Sequence, residues 1–197
     1  LILGIAYLIF GLDDLWVDAV ALFRRLGPKK IGKSDLRRML KAREKKIAII
    51  VPAWKEGGVI GRMLIGNASH LEYKNYHFFV GVYPNDQHTV GDVQTLEKDH
   101  PFIHAVLNHK NGPTSKGQIL NYVIEQVFEF ERQAGFTFDA FLMQDSEDII
   151  HPKVLKLINR ELNTYDFVQV PVFSLEVPFT EFVAGTYVDE FAECHTK

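Results

Sequence analysis

At 197 residues, 47% of them apolar and 24% charged, the chain carries enough hydrophobic material for one sizeable globular core, which excludes a disordered or fibrous protein. Its single cysteine, Cys194, excludes an intramolecular disulfide and suits a reducing compartment. The net charge of −3 conceals a segregation: residues 1–46 hold eleven basic and five acidic side chains and the remainder eleven basic and twenty acidic, an acidic body that argues against nucleic acid as a partner.

The chain opens on Leu1 to Leu12, apolar throughout and succeeded by Asp13 and Asp14. Twelve residues span about 18 Å of helix, short of the roughly 30 Å of a bilayer core. The stretch also lacks the basic leader and small-residue cleavage site of a signal peptide. It reads as the end of a membrane helix whose beginning lies ahead of residue 1. Leu15 to Leu26, with Trp16, Val17, Val20, Leu22 and Phe23, then reads as an interfacial amphipathic helix. Arg24, Arg25, Lys29, Lys30 and the Lys33 to Lys46 cluster would face anionic headgroups, which puts the rest of the chain in the cytoplasm by the positive-inside rule. A buried N-terminal helix with a solvated basic linker is the plainer alternative. Residues 1–46 are thus expected to be membrane-proximal, and 47–197 to form the main domain.

From Ile47 the pattern alternates. Strands are expected at Ile47–Val51, Tyr76–Tyr83, Phe102–Leu107, Ala140–Met143 and Phe167–Val170. Helices are expected at Val59–Leu71, Val90–Asp99, Gly117–Gln133 and Pro152–Leu162. Strands separated by helices of this length imply βαβ units, hence an α/β fold with a mostly parallel, Rossmann-like sheet flanked by helices. In such sheets ligands bind outside the carboxyl ends of the strands.

Polar clusters succeed the first four strands. They are Pro52-Ala53-Trp54-Lys55-Glu56, then Pro84-Asn85-Asp86, then Asn111 to Gly117 with Lys116, and finally Asp145-Ser146-Glu147-Asp148. Each has an ordinary explanation in packing, a turn or a helix start, the acidic run as a complement to the helix that begins near Pro152. Four at one sheet edge describe a nucleotide site. Trp54 would lie near the base, Glu56 or Asp86 would accept from base or ribose donors, and Lys116 would meet phosphate oxygens. Hard carboxylate oxygens at Asp145 and Glu147 suit Mg²⁺ or Mn²⁺ holding a diphosphate.

Ile49-Ile50-Val51-Pro52-Ala53-Trp54-Lys55-Glu56, Asp86, Ser115-Lys116-Gly117-Gln118-Ile119-Leu120-Asn121 and Gln144-Asp145-Ser146-Glu147-Asp148 together resemble the motifs of the family 2 inverting glycosyltransferases of the GT-A fold. Within that family the chain is similar to bacterial inner-membrane glycosyltransferases of phage adsorption. That closer likeness rests on Gly11 to Leu15, His151-Pro152 and Gly185 to His195. Lys55 stands where Asn is common in the family, and Glu147 replaces the second Asp of the metal motif.

The resemblance implies sugar transfer from a nucleotide diphosphate sugar, a UDP-sugar by preference, to a glycan or lipid-linked acceptor in surface glycan synthesis. It implies nucleotide-sugar contacts at Ala53, Trp54, Glu56, Asp86, Lys116 and Asp145, with metal at Asp145 and Glu147. It also implies the cytoplasmic face of a bacterial inner membrane and leaves room for an outer-membrane export or receptor partner. The family's base motif does not occur before Lys197, so the catalytic base is expected beyond it. Asp189, Glu190 and Glu193 read as structural residues of a helix face. The competing reading is an inactive nucleotide-sugar-binding scaffold within a membrane export complex. A nucleotidyltransferase is disfavoured, because Pro52-Ala53-Trp54 stands where a Gly-x-Gly-x-Arg loop would be.

Overall fold

The computed structural model describes residues 2–24, 31–175, 178, 180–181, 183–185 and 188. The chain divides into two compact units, residues 1–33 with 169–197, and residues 34–168. In the first unit α1 (Ile2–Phe23) is a single helix of 22 residues, so Asp13 and Asp14 do not end it and no separate interfacial helix starts at Leu15. Aspartate costs a helix interior only tenths of a kcal/mol in propensity (about 0.7 at most), too little to end it. Leu8, Phe10, Leu15, Trp16, Leu22 and Phe23 are all exposed on it. No helix among the described residues is long and apolar enough to cross a membrane. Of the expected basic run, Arg25, Lys29 and Lys30 lie outside the described residues, as do Asp189, Glu190, Glu193 and Cys194.

The second unit begins with α2 (Lys33–Lys41), a helix where the sequence shows only a basic cluster. Its apolar residues Leu36, Met39 and Leu40 keep helical spacing, and Met39 is buried. A four-stranded parallel sheet comes next: β1 (Ile47–Pro52), β2 (Tyr76–Val82), β3 (Ile103–Leu107) and β4 (Ala140–Met143), in the order β3-β2-β1-β4. Ile47 sits opposite Tyr76 on one side and Ala140 on the other, and Phe78 opposite Ile103. The expected fifth strand at Phe167–Val170 is not formed, and Phe167 is 82% exposed. A strand needs a ladder partner for its amides, and Pro171 beside this segment brings none.

The connecting helices are α3 (Ile60–His70), α4 (Gln87–Asp99), α5 (Lys116–Ala134) and α6 (Val154–Glu161). Along β1 the residues Ile47 to Val51 are all buried, the signature of a strand covered on both faces. On one face Ala48, Ile50 and Phe79 pack with Ile119, Val123 and Val127 of α5. Gly81 lets α5 come close, since a Cβ there would lie 2.7 Å from Val123 Cγ2. Residues of the other parity, Ile49, Phe78 and Val80, are buried on the opposite face, where α4 covers β2 and β3 and packs on α3. Burying such side chains stabilises by about 1.5–3 kcal/mol each.

A polar clamp anchors the segment ahead of β1. Lys156 Nζ donates to Glu44 Oε1 at 2.7 Å, and the Tyr73 hydroxyl donates to the Lys45 carbonyl, also at 2.7 Å. Asn159 accepts from the Lys45 amide and donates to the Arg43 carbonyl. Burial works to raise the Glu44 pKa, but Lys156 and the amides of Lys74 and Asn75 outweigh it and hold the carboxyl below its ordinary value. The clamp ties α6 to the start of the sheet.

Candidate nucleotide site

All four strands deliver their carboxyl ends to one edge, and because β2 and β4 flank β1 on opposite sides, the strand order reverses at β1. A crevice is expected there between the loops after β1 and β4. Main-chain hydrogen bonds extend the sheet into both loops, from the Ala53 amide to the Gly81 carbonyl at 2.8 Å and from the Gln144 amide to the Ile50 carbonyl at 3.0 Å. The Ala53 side chain is buried, so a ligand could meet only its main chain.

The β1 and β2 ends are joined by Asp86. This residue caps α4 by accepting from the Thr89 amide, and its Oδ2 accepts from the Lys55 amide at 2.6 Å. The Glu56 amide donates to Thr89 Oγ1 at 3.0 Å, which fixes the same turn from its other side. Burial would raise the Asp86 pKa; hydrogen bonds from Thr89 and Lys55, with His88 nearby, prevail and lower it. Lys55 itself has φ 61°, the left-handed region that Asn tolerates better than Lys.

Asn85 joins the β2 and β3 ends. Its side-chain amide donates to the Gly112 carbonyl at 2.8 Å and accepts from the Gly112 amide at 2.7 Å. Gly112 lies against the Trp54 and Tyr83 rings, which meet edge to face at 5.2 Å, and a Cβ at Gly112 would sit 2.6 Å from Trp54 Cε3. The Tyr83 hydroxyl bonds Thr114 Oγ1 at 2.7 Å, one residue before Ser115 caps α5.

The β3 and β4 ends meet through Lys116, whose Nζ lies 2.5 Å from Asp145 Oδ1, both side chains about half exposed. Asp148 explains the third acid of the cluster. Its Oδ2 accepts from the Asp145 amide at 2.9 Å and closes the turn, while Asn67 donates to its carbonyl and accepts from the Ile150 amide. Burial raises the Asp148 pKa, and the neighbouring charges of Asp145 and Glu147 add to that rise. Glu147 is exposed and accepts from Ser146 Oγ at 3.2 Å.

The four sequence clusters are therefore linked pairwise, first to second, second to third, and third to fourth. Trp54, Glu56, Asp86, Lys116, Asp145 and Glu147 all lie on these linked loops. Among the described residues no three His, Cys, Asp or Glu side chains are gathered to hold a metal. The donor set is nevertheless suitable: Asp145 and Glu147 offer hard oxygens, and Asp145 already holds a cationic group. Sequence reasoning gave no part in the site to Tyr83, Thr89 or Asn67. Asn85 beside Asp86 was legible as a turn pair, but its partner Gly112 is a tertiary neighbour. No local signal marks Asn67.

Residues 44–197 match the family described as glycosyltransferase like family 2. The chain is 42% identical over 200 residues to Bacteriophage adsorption protein B of Escherichia coli, with 99% of this chain aligned to 27% of that protein. A second Escherichia coli relative, Bacteriophage N4 adsorption protein B, aligns with the same identity and coverage. The chain spans about a quarter of the length of these curated relatives, at 27%. Among solved structures, S. aureus TarS 1-349 aligns with a TM-score of 0.47 at 18% identity over 70% of this chain and 39% of that one. Mannosyltransferase PcManGT from Pyrobaculum calidifontis, in complex with GDP-Man and Mn²⁺, aligns with a TM-score of 0.45 at 14% identity over 75% and 43%.

Proposed function

The chain belongs to glycosyltransferase like family 2, and from that premise we propose that it carries the donor site of an inverting, hexosyltransferase-type enzyme using a nucleotide diphosphate sugar, most simply a UDP-sugar. The observation that carries this reading is the pairwise linkage of four strand-end loops at the point where the strand order reverses. Trp54, packed on the buried Tyr83 ring, would lie near the base. Asp86 and Glu56 supply acceptors for base or ribose donors, and Lys116 supplies a cation for phosphate oxygens. Asp145 and Glu147 would hold Mg²⁺ or Mn²⁺, which when bound would offset the charge of the leaving diphosphate. Inversion by direct attack also needs a base for the acceptor hydroxyl, and none of the described residues at this edge is assigned that role.

We further place the enzyme at the inner face of a bacterial membrane. The exposed apolar side chains of α1 and the excess of basic residues in 1–46 support that reading. A glycan or lipid-linked acceptor at that surface, and an export or receptor partner in the outer membrane, fit relatives named for bacteriophage adsorption.

The test is saturation binding of UDP-, GDP- and ADP-sugars to the folded chain, with release of free nucleotide monitored in parallel. One nucleotide class should bind in competition with its diphosphate and be hydrolysed slowly. Binding of a single class with no release under any condition would favour the scaffold reading, and no binding of any would remove the proposal.

A further inference from the structure

Resting on the donor-site reading above, we infer that Lys116 is an exchangeable internal counter-cation, neutralising Asp145 until a metal–diphosphate takes its place and gives the ammonium a new partner. The two residues are 29 apart in sequence and reach each other from the first turn of α5 and the loop after β4. With Nζ 2.5 Å from Oδ1, the ammonium occupies one of the two carboxylate oxygens open to a divalent cation. Two cations on one carboxylate repel, so the Lys116 pair opposes metal entry and metal entry weakens the pair. The Asp145 main chain cannot draw back, because its amide donates to Asp148 Oδ2 at 2.9 Å. The Lys116 head can. Its side chain is 51% exposed, and a four-carbon stem lets its head move while the helix start stays capped by Ser115.

The consequence is coupling. Metal alone enters against an ammonium held at the same carboxylate, whereas metal arriving with a diphosphate offers Lys116 another anion. Nucleotide and metal therefore raise each other's affinity, and Lys116 is the positioning residue through which they do so.

The experiment is Mn²⁺ binding to the 197-residue chain, read from the electron paramagnetic resonance signal of free Mn²⁺ at fixed ionic strength, with and without UDP. Lys116→Met should bind Mn²⁺ alone about two- to fivefold more tightly than wild type, the range expected for losing an exposed ion pair. Lys116→Arg should behave as wild type. In the Asp145→Asn background Lys116→Met should bring no gain, and UDP should improve Mn²⁺ binding more in wild type than in Lys116→Met. Equal or weaker Mn²⁺ affinity in Lys116→Met without UDP would overturn the inference, as would a gain that survives Asp145→Asn. If Lys116→Met gains Mn²⁺ affinity while UDP alters nothing in wild type, the exchange stands and the nucleotide reading fails.

Discussion

Lys55 sits at φ 61° with its amide committed to Asp86, so the turn after β1 stores backbone strain in a residue that gains nothing visible from it beyond a loose approach to Trp54. Lys55→Asn should relieve it and raise stability by about 0.5–1 kcal/mol, measured by urea unfolding. Asp86 has the opposite character. It caps α4 and ties down Lys55, so Asp86→Ala should cost about 1–2 kcal/mol of stability before any loss of nucleotide affinity. The two effects separate if UDP titrations are made at a temperature where the variant is fully folded. Gly112→Ala should destabilise by about 1–3 kcal/mol, because the new methyl meets the Trp54 ring and the loop must move. Its Trp fluorescence should shift with it. At this scale the sequence placed Glu56, Asp86, Lys116, Asp145 and Glu147 in the segments that succeed the strands, and they lie there. It did not disclose that Asp86 and Asp148 serve the local backbone, because those partners are amides of neighbouring turns. The Lys55 departure from the family's Asn acquires its meaning only from the backbone dihedral.

Elements were legible where the apolar period was clean. The bounds of β4 are those the sequence implies to the residue, and the other strands and the helices after each of them agree to within a few positions. α2 was hidden because six of its nine residues are polar or charged, which masks the three apolar positions that fix its face. Phe167–Val170 has strand composition without a strand, since composition cannot supply a neighbour. Between β2 and β3 lies a pair no motif announced: His77 Nδ1 and His104 Nε2 are 2.8 Å apart, their rings stacked at 5.1 Å among Phe79, Phe130 and Phe138. Burial, then the charge of Lys46, lowers the His77 pKa; burial, then His77, lowers that of His104 to about 4. Glu97, on α4, accepts from the Ala105 amide, and Glu131, on α5, from the Phe138 amide, so these two carboxylates are engaged by main-chain amides.

A histidine held neutral in the fold takes up its proton on unfolding, so from about pH 6.5 down to about pH 4 the unfolded chain binds more protons and stability falls with pH. Allowing for the partial exposure of both rings, the loss is about 1–2 kcal/mol. Depressed carboxyls at Glu44 and Asp86 add a further loss at lower pH, below their ordinary values of 4.5 and 3.8, while Asp148, raised, acts in the opposite sense. Denaturant midpoints at about pH 7 and about pH 5 should show the fall, and His104→Phe should reduce it. An unchanged pH slope in that variant would assign the loss elsewhere.

For the whole molecule, the charge division at residue 46 and the exposed apolar helix α1 predict binding to anionic vesicles by sedimentation. Removal of residues 1–12 should leave a weaker interaction that fades with salt, because only the basic residues would remain to hold it. A folded chain indifferent to phosphatidylglycerol vesicles would contradict placement at a membrane. The α/β class and the gathering edge were legible from the alternation of strands and helices. What joins the loops of that edge, contacts made across the sheet from Asn85 to Gly112 and from Lys116 to Asp145, was not. The central claim is that this edge holds a nucleotide diphosphate through a divalent cation. Calorimetric titration of UDP into the folded chain, with and without Mn²⁺, tests it most directly. Binding should be tighter with Mn²⁺, and Asp145→Asn should lose about tenfold to a hundredfold in affinity and with it the metal dependence. Equal UDP affinity with and without Mn²⁺ would contradict the claim.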